Sequence, residues 1–406
     1  MSTASAVVTG LGVVAPNGMD TEAYWTAVLD GRSAIAPITR FDASRYPVSL
    51  AGEVRDFTAK DHIPSRLLPQ TDHMTRLSLY AADKALADSQ VDLGGLPEFA
   101  AGVSSASTMG GFEFGQRELE NLWSKGGQFV SAYQSFAWFY AVNTGQVSIR
   151  HGLRGPGSAL VTDQAGGLDA VGNARRQIRK GATLMVTGGV DGALCPLGLV
   201  GQLTSGELST STDPARAYLP FSADADGHVP GEGGAYLVLE EAAAARRRGA
   251  RVYGELAGYA ATFDPGTDGT PRTGLERAIR RALDDAQVRP EQIDVVFADA
   301  AAVPDLDRAE AEALAAVFGP RAVPVTAPKN TTGRLYAGGA SLDLATALLS
   351  IRDGVIPRTP NVEACAPDHP IDLVVGEPRT ADIGRALVVA RGRGGFNAAA
   401  VVRRAS

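Results

Sequence analysis

The stretch ALVTDQAGGLDAV (159–171) has the pattern of a short strand that turns directly into a helix, with Gln164 at the tip of the turn. The first turn of a helix presents free N–H groups and the positive end of the helix dipole, which stabilise a thiolate or an oxyanion. A cysteine here could form an acyl-enzyme, and Gly166 and Gly167 would let the backbone approach a thioester closely. Glutamine keeps the hydrogen-bonding capacity but cannot act as a nucleophile. The stretch therefore predicts a turn of the kind that holds a catalytic nucleophile, with a non-nucleophilic residue at its tip.

The cysteines and histidines of the sequence do not supply the missing chemistry. Cys195 precedes a proline without a strand-to-helix pattern and is expected to be a buried apolar side chain, and Cys365 is expected in a loop. Two cysteines without a CxxC spacing give no disulfide framework and fit a reducing compartment. His228, in DGHVPGEGG, is expected to form structural hydrogen bonds rather than to act as a base. The other histidines are His62, His73, His151 and His369. We expect neither a metal nor a cofactor.

The composition is that of a soluble globular protein. The 406 residues are 45% hydrophobic and 20% charged, with a formal net charge of −7. Acidic and basic residues are interspersed without a basic stripe, which argues against a nucleic-acid partner. No window approaches 18 uninterrupted apolar residues, and the first residues lack the features of a signal peptide. We therefore expect no membrane partner and a cytoplasmic location.

Short apolar runs alternate with helical patterns along the chain. The predicted buried strands cover 6–14, 159–162, 183–190, 235–240, 295–299 and 385–392, and the predicted helices cover 76–89, 167–181, 275–286, 307–318 and 340–354. This alternation favours an α/β fold built in layers. A loop rich in Gly, Pro, Thr and Asp at 261–274, with a similar rhythm on either side, suggests a duplicated unit. We divide the chain into 1–257 and 258–406.

Three further segments carry a resemblance to a known family. They are VVTGLGVVAPNG (7–18), PFSADADGHVPGEGGAYLVLE (220–240) and GRGGFNAAAVV (392–402). Together they resemble the opening strand, the mid-chain signature and the closing loop of the thiolase-fold β-ketoacyl synthases. The resemblance extends from end to end of the chain. It implies duplicated α/β halves in a layered αβαβα arrangement.

The same resemblance shows which catalytic residues are replaced. Active members carry a cysteine at the position of Gln164 and two histidines, in HGTxTxxxD and KxxxGHxxxAxG motifs. Here the first motif reads DAAAVPDLD (299–307), with Asp299 at the histidine position. The second reads KNTTGRLYAGGA (329–340), which retains Lys329 but has Arg334 at the histidine position. All three condensing residues are therefore absent. The opposite charges of Asp299 and Arg334 predict that the two side chains form an ion pair.

The combination resembles one subfamily, the chain length factors, or ketosynthase β subunits, of bacterial type II polyketide synthases. Its mark is glutamine in a QAGGLDA context, found here at 164–170, and further similarity lies in 110–123 and 131–156. The resemblance implies a non-condensing subunit that pairs with a catalytic ketosynthase α subunit. The partner would extend a poly-β-ketone from malonyl units on an acyl carrier protein. The chain length factor would close the tunnel in which that product grows.

The segment GGFEFGQRELENLW (110–123) offers candidates for the tunnel end. Phe112, Gly115 and Leu119 are spaced i, i+3 and i+7 and so share one face of a predicted helix. The family's gating positions fall on these residues, with Phe136 opposite. Members of the family with bulkier residues at the positions of Gly115 and Leu119 make octaketides. The smaller residues here therefore predict a longer product, a deca- to dodecaketide. The alternative is that these side chains are plain interface packing.

Two questions stay open at the level of the sequence. The resemblance offers a role for Gln164 in decarboxylating malonyl-carrier protein to prime the chain, since an amide can donate to an enolate oxygen. The other interpretation is a plug that fills the empty acyl site and satisfies the helix N–H groups. The chain as a whole could also be a condensing synthase with a non-standard nucleophile, or a purely structural scaffold.

Overall fold

The computed structural model describes residues 4–264 and 273–405. In these residues the strands are β1 (Ala6–Val14), β2 (Ile35–Pro37), β3 (Leu50–Gly52), β4 (Ala101–Ala106), β5 (Gly157–Leu160), β6 (Leu184–Asp191), β7 (Gly233–Glu241), β8 (Gly254–Phe263), β9 (Val295–Phe297), β10 (Pro324–Thr326), β11 (Val355–Ile356), β12 (Asp372–Leu373), β13 (Arg379–Thr380), β14 (Arg385–Gly392) and β15 (Phe396–Arg403). The helices are α1 (Thr21–Asp30), α2 (Ala59–His62), α3 (His73–Ser89), α4 (Phe112–Lys125), α5 (Gln134–Ala137), α6 (Val142–His151), α7 (Gly166–Arg179), α8 (Pro196–Leu203), α9 (Ala242–Arg247), α10 (Gly274–Ala286), α11 (Pro304–Phe318) and α12 (Gly339–Asp353). None of the helices in this part of the chain is long and apolar enough to cross a membrane.

The strand order repeats within one large sheet, β12-β10-β9-β14-β15-β8-β1-β7-β6-β4-β5. In the first half β1 pairs antiparallel with β7, β7 antiparallel with β6, β6 parallel with β4, and β4 parallel with β5. The second half follows the same order and senses from β8 through β15, β14 and β9 to β10. The first strands of the halves, β1 and β8, pair with each other. This equivalence confirms the predicted duplicated α/β architecture.

Helices cover the sheet and also fill the space between its halves. The two equivalent helices that follow β5 and β10, α7 and α12, contact each other in the interior. Every residue of α12 from Gly339 to Ile351 is buried, as its run of small and aliphatic residues requires. The equivalent helices α3 and α10 lie on the first strands β1 and β8. Together these contacts give the layers that the resemblance implied.

Most of the predicted elements agree closely with the structure. The predicted strands at 6–14 and 385–392 coincide with β1 and β14, and the five predicted helices correspond to α3, α7, α10, α11 and α12. The predicted loop at 261–274 lies mostly outside the described residues, although its first residues end β8 and Gly274 begins α10. Residues 257 and 258, where we divide the chain, lie inside β8.

Candidate functional site

The strand-to-helix turn is present where the sequence predicts it. Strand β5 ends at Leu160, a single 3₁₀ turn covers Asp163–Ala165, and α7 begins at Gly166. The strained residue is Asp163, with a φ of 51°, and not Gln164 itself. The Asp163 carboxylate accepts a hydrogen bond from the backbone N–H of Arg393 at 2.7 Å. This bond ties the closing loop of the chain to the turn.

Gln164 is completely buried, at 0% exposure. Within residues 4–264 and 273–405 neither its amide nitrogen nor its amide oxygen has a hydrogen-bond partner. The amide lies against Gly339, where an added Cβ would come within 2.4 Å of Nε2. The prediction that a plug would satisfy the helix N–H groups is therefore wrong, because the side chain fills space without bonding to them.

The small residues after Gln164 are explained by helix packing. A Cβ at Gly167 would lie 2.6 Å from the backbone nitrogen of Ser341, at the start of α12. A Cβ at Gly166 would lie 3.0 Å from Cβ of Ala106 and so would force that neighbour to shift. Close contact between α7 and its surroundings thus requires these glycines, whether or not a thioester is ever bound nearby.

Asp299 and Arg334 form the predicted ion pair. The Arg334 guanidinium donates to Asp299 Oδ2 at 3.0 Å and to the carbonyl oxygen of Arg391 at 2.9 Å, and both paired side chains are buried. Burial alone would raise the pKa of Asp299, but the positive charges of Arg334 and Lys329 hold it below its usual range. An ionised aspartate bound to a permanently charged arginine cannot exchange a proton near neutral pH. We call Gln164, Asp299 and Arg334 the closed centre.

Two buried carboxylates that sequence reasoning missed hold the Asp299 loop. Glu310 accepts from the backbone N–H groups of Asp299 and Ala300, and Asp307 accepts from that of Ala302. Ala300 and Ala302 have φ values of 53° and 55°, a region that favours glycine. Burial raises the pKa of Asp307 to about 8 and that of Glu310 to about 7. Asp307 ends the DAAAVPDLD segment, at the aspartate position of the HGTxTxxxD motif, whereas the only sequence signal of Glu310 is its i, i+3 spacing from Asp307 on α11.

Lys329 is engaged in a structural contact. Its ammonium group is buried and pairs with the carboxylate of Asp343 on α12. Burial raises the pKa of Asp343 to about 6, an effect that the charge of Lys329 opposes. The retained lysine therefore attaches the 3₁₀ turn Pro328–Thr331 to the central helix layer.

Both cysteines and His228 are poorly suited to act as nucleophile or base in this fold. Burial raises the pKa of the Cys195 thiol to about 11, and it has the same effect on Cys365, which lies outside helices and strands. Burial and the charge of Arg334 lower the pKa of His228 to about 3, so the ring is neutral and a poor base. His73 and His151 lie against Glu232 and Asp83, respectively.

A cleft of about 690 Å³ opens beside the closed centre. The residues that line it include Asp299, Arg334, His228, Phe112 and Gln202. Gln164 is absent from its wall, since the side chain is fully enclosed. The cleft thus extends from the ion pair to the first residue of α4.

The predicted gate residues lie on α4 and on the segment that crosses it. Phe112 and Leu119 are half-buried, and Gly115 between them is buried. A Cβ at Gly115 would lie 3.6 Å from Cβ of Trp138, which is ordinary contact distance. Phe136 is half-buried on α5, and the backbone N–H of Gly111 bonds to the carbonyl of Trp138 at 2.9 Å. We call Phe112, Gly115 and Leu119 the gate face.

Large apolar side chains are exposed on α4, on α6 and in the segment that connects them. Trp123, on the next turns of α4, is 78% exposed, and Ile149 on α6 is equally exposed. The other large exposed apolar side chains in this part of the sequence are Leu122, Phe129, Tyr133, Trp138, Phe139 and Tyr140. Strand β5 is the last strand of the sheet on this side, with β4 as its partner in the described residues. Aromatic exposure next to an edge strand is typical of a protein interface.

Comparison with known proteins identifies the family of the chain. The model of the β-ketoacyl synthase N-terminal domain matches residues 4–245, and that of the C-terminal domain matches 253–363. The tetracenomycin polyketide synthase ketoacyl synthase β subunit of Streptomyces glaucescens is 62% identical over 405 residues, covering 99% of this chain and 98% of that protein.

Two solved structures share the fold over their whole length. The ishigamide ketosynthase/chain length factor has a TM-score of 0.90 at 28% identity, covering 100% of both chains. A type II polyketide synthase ketosynthase, bound to the hexaketide and in complex with its acyl-carrier protein, has a TM-score of 0.90 at 26% identity with the same coverage. The chain therefore belongs to the β-ketoacyl synthase family and, within it, to the ketosynthase β subunits, or chain length factors, of type II polyketide synthases.

Proposed function

We propose that this chain is the non-condensing subunit of a ketosynthase heterodimer and sets the length of the poly-β-ketone that its partner makes. The closed centre is the observation that carries the proposal. Gln164 is an enclosed amide, and Asp299 and Arg334 neutralise each other, so the chain holds no group there for acyl transfer. The condensing cysteine must then belong to the partner, a catalytic ketosynthase α subunit.

The exposed apolar surface beside β5 supports pairing with that partner. Trp123 and Ile149 leave most of their area in solvent, although apolar side chains of this size are normally covered. The free edge of β5 offers backbone N–H and C=O groups to another strand. The carrier protein that delivers malonyl units would act with the heterodimer. Both cysteines are free thiols, which supports a reducing, cytoplasmic location.

The gate face supports a role in chain length. Its position at the edge of the exposed surface would place Phe112 and Leu119 against a tunnel that arrives from the partner. An extended chain grows by roughly 2.5 Å per ketide unit, so one side chain of different size changes the space by about one unit. The buried Gly115 and the medium Leu119 leave more room than bulkier residues would. We infer a deca- to dodecaketide product.

The enclosure of Gln164 supports the plug interpretation over a role in priming. A group that polarises a thioester must reach the substrate, and this amide does not line the cleft. Its contact with Gly339 leaves it little freedom to turn outward. Filling of an otherwise empty site accounts for the side chain without a chemical step.

Two measurements on the co-purified heterodimer test the proposal. After incubation with malonyl-carrier protein, intact mass should show acyl groups on the partner alone, and an acyl adduct on this chain would overturn the proposal. Leu119→Phe should shorten the main product by one or two ketide units with total product within about two-fold of wild type. Leu93→Phe, the same change at a half-buried leucine far from α4 in sequence, is the control. An unchanged product from Leu119→Phe would indicate a scaffold without a gate.

A further inference from the structure

The cleft beside the closed centre contains polar atoms that the chain does not satisfy. Thr108 Oγ1, Gln202 Nε2 and His228 Nδ1 are all buried, and none finds a hydrogen-bond partner in residues 4–264 or 273–405. All three residues line the same cleft. Gln202 is 5% exposed and His228 is 4% exposed. Buried polar atoms are rarely left unpaired, so three in one cavity indicate that something binds there.

The contacts of each side chain define what it offers. The amide oxygen of Gln202 accepts from the hydroxyl of Tyr336 at 2.5 Å, which leaves the NH₂ group as the free donor. The Thr108 hydroxyl is a second free donor, since its oxygen bonds to no other group in the described chain. The His228 ring is neutral and donates to the backbone carbonyl of Ala301, so its free Nδ1 can only accept a hydrogen bond. Gln202 and Thr108 therefore supply two donors, which fit a ligand rich in carbonyl oxygens.

The position of Phe112 connects this cleft to the gate face. Phe112 is the first residue of α4 and also part of the cleft wall, next to Met109 and Val161. A chain that moves past the Phe112 ring therefore enters the cleft. At about 690 Å³ the cleft falls in the range of small-molecule sites.

We propose that the cleft receives the distal end of a long poly-β-ketone once it has passed Phe112. Gln202 and Thr108 donate hydrogen bonds to its carbonyl oxygens, which recur on alternate carbons. This inference rests on the proposed function, because it needs a poly-β-ketone to arrive from the partner. The closed centre then has a purpose, since its ion pair and enclosed amide leave no nucleophile or free base to react with the stored chain. The length limit is set by the end of the cleft as well as by the gate face.

The test fills the cleft or removes one donor in the assembled heterodimer. Gly201 lines the cleft, and a Cβ there meets no described atom within 4 Å. Gly201→Phe should shorten the main product by one or two ketide units, while Gly201→Ala should leave it unchanged. Thr108→Val removes a hydroxyl that bonds to nothing in the described chain, and it should raise the ratio of shorter to full-length product by about three-fold or more. Thr187→Val removes an equally unpartnered buried hydroxyl outside the cleft and is the matched control.

Leu119→Phe, assayed in parallel, separates the two proposals. If Leu119→Phe shortens the product while Gly201→Phe and Thr108→Val do not, the cleft inference fails and the gate stands. If no variant changes the product, both fail. If Gly201→Phe prevents assembly, Thr108→Val alone decides, and a wild-type product ratio overturns the inference. Pantetheine is the second probe, because a carrier-protein arm also has carbonyl groups. Weaker pantetheine binding by Gly201→Phe with unchanged products would assign the cleft to that arm instead.

Discussion

The closed centre and the gate face differ in whether their side chains find partners within this chain. At the closed centre the charges of Asp299 and Arg334 are paired within the chain, and backbone groups complete their bonding. At the gate face and the surface around it, apolar side chains such as Trp123 have no cover within the described chain. The comparison indicates that this subunit pairs the charges of its closed centre within its own chain, whereas it leaves apolar side chains around the gate face uncovered.

The largest effect is expected from breaking the ion pair of the closed centre. Arg334→Ala leaves Asp299 as an unpaired buried carboxylate, which typically costs about 3–5 kcal/mol. The double variant with Asp299→Ala should recover part of this loss, because no charge remains unpaired. Thermal and denaturant unfolding of the heterodimer would measure both. Arg352→Ala, at an exposed pair with Glu22, is the control and should cost less than about 1 kcal/mol. An Arg334→Ala variant as stable as this control would show that the centre is not self-contained.

A change on the exposed surface should affect binding to the partner rather than the stability of this chain. Trp123→Ser should leave the fold of this chain intact, because the ring contributes little to its own core at 78% exposure. Binding to the ketosynthase α subunit should weaken by about 30-fold or more, as for an interface aromatic worth 2 kcal/mol. Calorimetry or sedimentation would measure the affinity. Trp123→Phe retains most of the apolar area and should bind nearly as tightly as wild type. Unchanged binding of the serine variant would place the interface elsewhere.

The sequence predicted the elements from local patterns, as in the near-continuous apolar run of β1. It predicted the ion pair from the family resemblance, which places Asp299 and Arg334 at the histidine positions of two separate motifs. The sequence did not predict contacts between segments that are far apart in the chain. One such contact is the environment of Gln164, whose amide has no hydrogen-bond partner in the described chain. Another is Glu310, which accepts from two backbone N–H groups. Both depend on tertiary packing, which a local sequence pattern does not indicate. The donors Thr108 and Gln202 were missed for the same reason.

A pH effect should follow from the carboxylates behind the closed centre. Burial raises the pKa of Asp307 to about 8 and that of Glu310 to about 7, above the values of an unfolded chain near 4. The folded state therefore binds more protons, and stability present at low pH is lost as pH rises through 7 and 8. We expect a loss of about 2–3 kcal/mol between pH 6.5 and 8.5. Asp299 has a lowered pKa and does not titrate in this window.

Unfolding of the heterodimer at several pH values measures this dependence, with Asp307→Asn as the variant. The asparagine cannot ionise, so its stability should vary less over the same window even if its absolute stability is lower. Equal slopes for the two proteins would show that Asp307 is already ionised in the fold. In that case Asp307 would be ionised at neutral pH, as Asp299 is in its pair with Arg334.

The smallest effect is expected in the loop that carries Asp299, and it bears on how the closed centre is held. Ala300 has a φ of 53°, which costs an alanine about 1 kcal/mol, and the family motif has glycine at this position. Ala300→Gly removes that strain but loses a buried methyl worth about 0.8 kcal/mol and adds the backbone entropy of glycine, about 0.5–1 kcal/mol, so the net loss should stay below about 1 kcal/mol. Ala298→Gly, in the same buried segment, relieves no such strain and should cost about 1.5–2 kcal/mol. Denaturant unfolding distinguishes the two variants. Equal losses would mean that the loop has relaxed around alanine. The expected difference would mean that Glu310 and Asp307 hold Ala300 in its strained conformation.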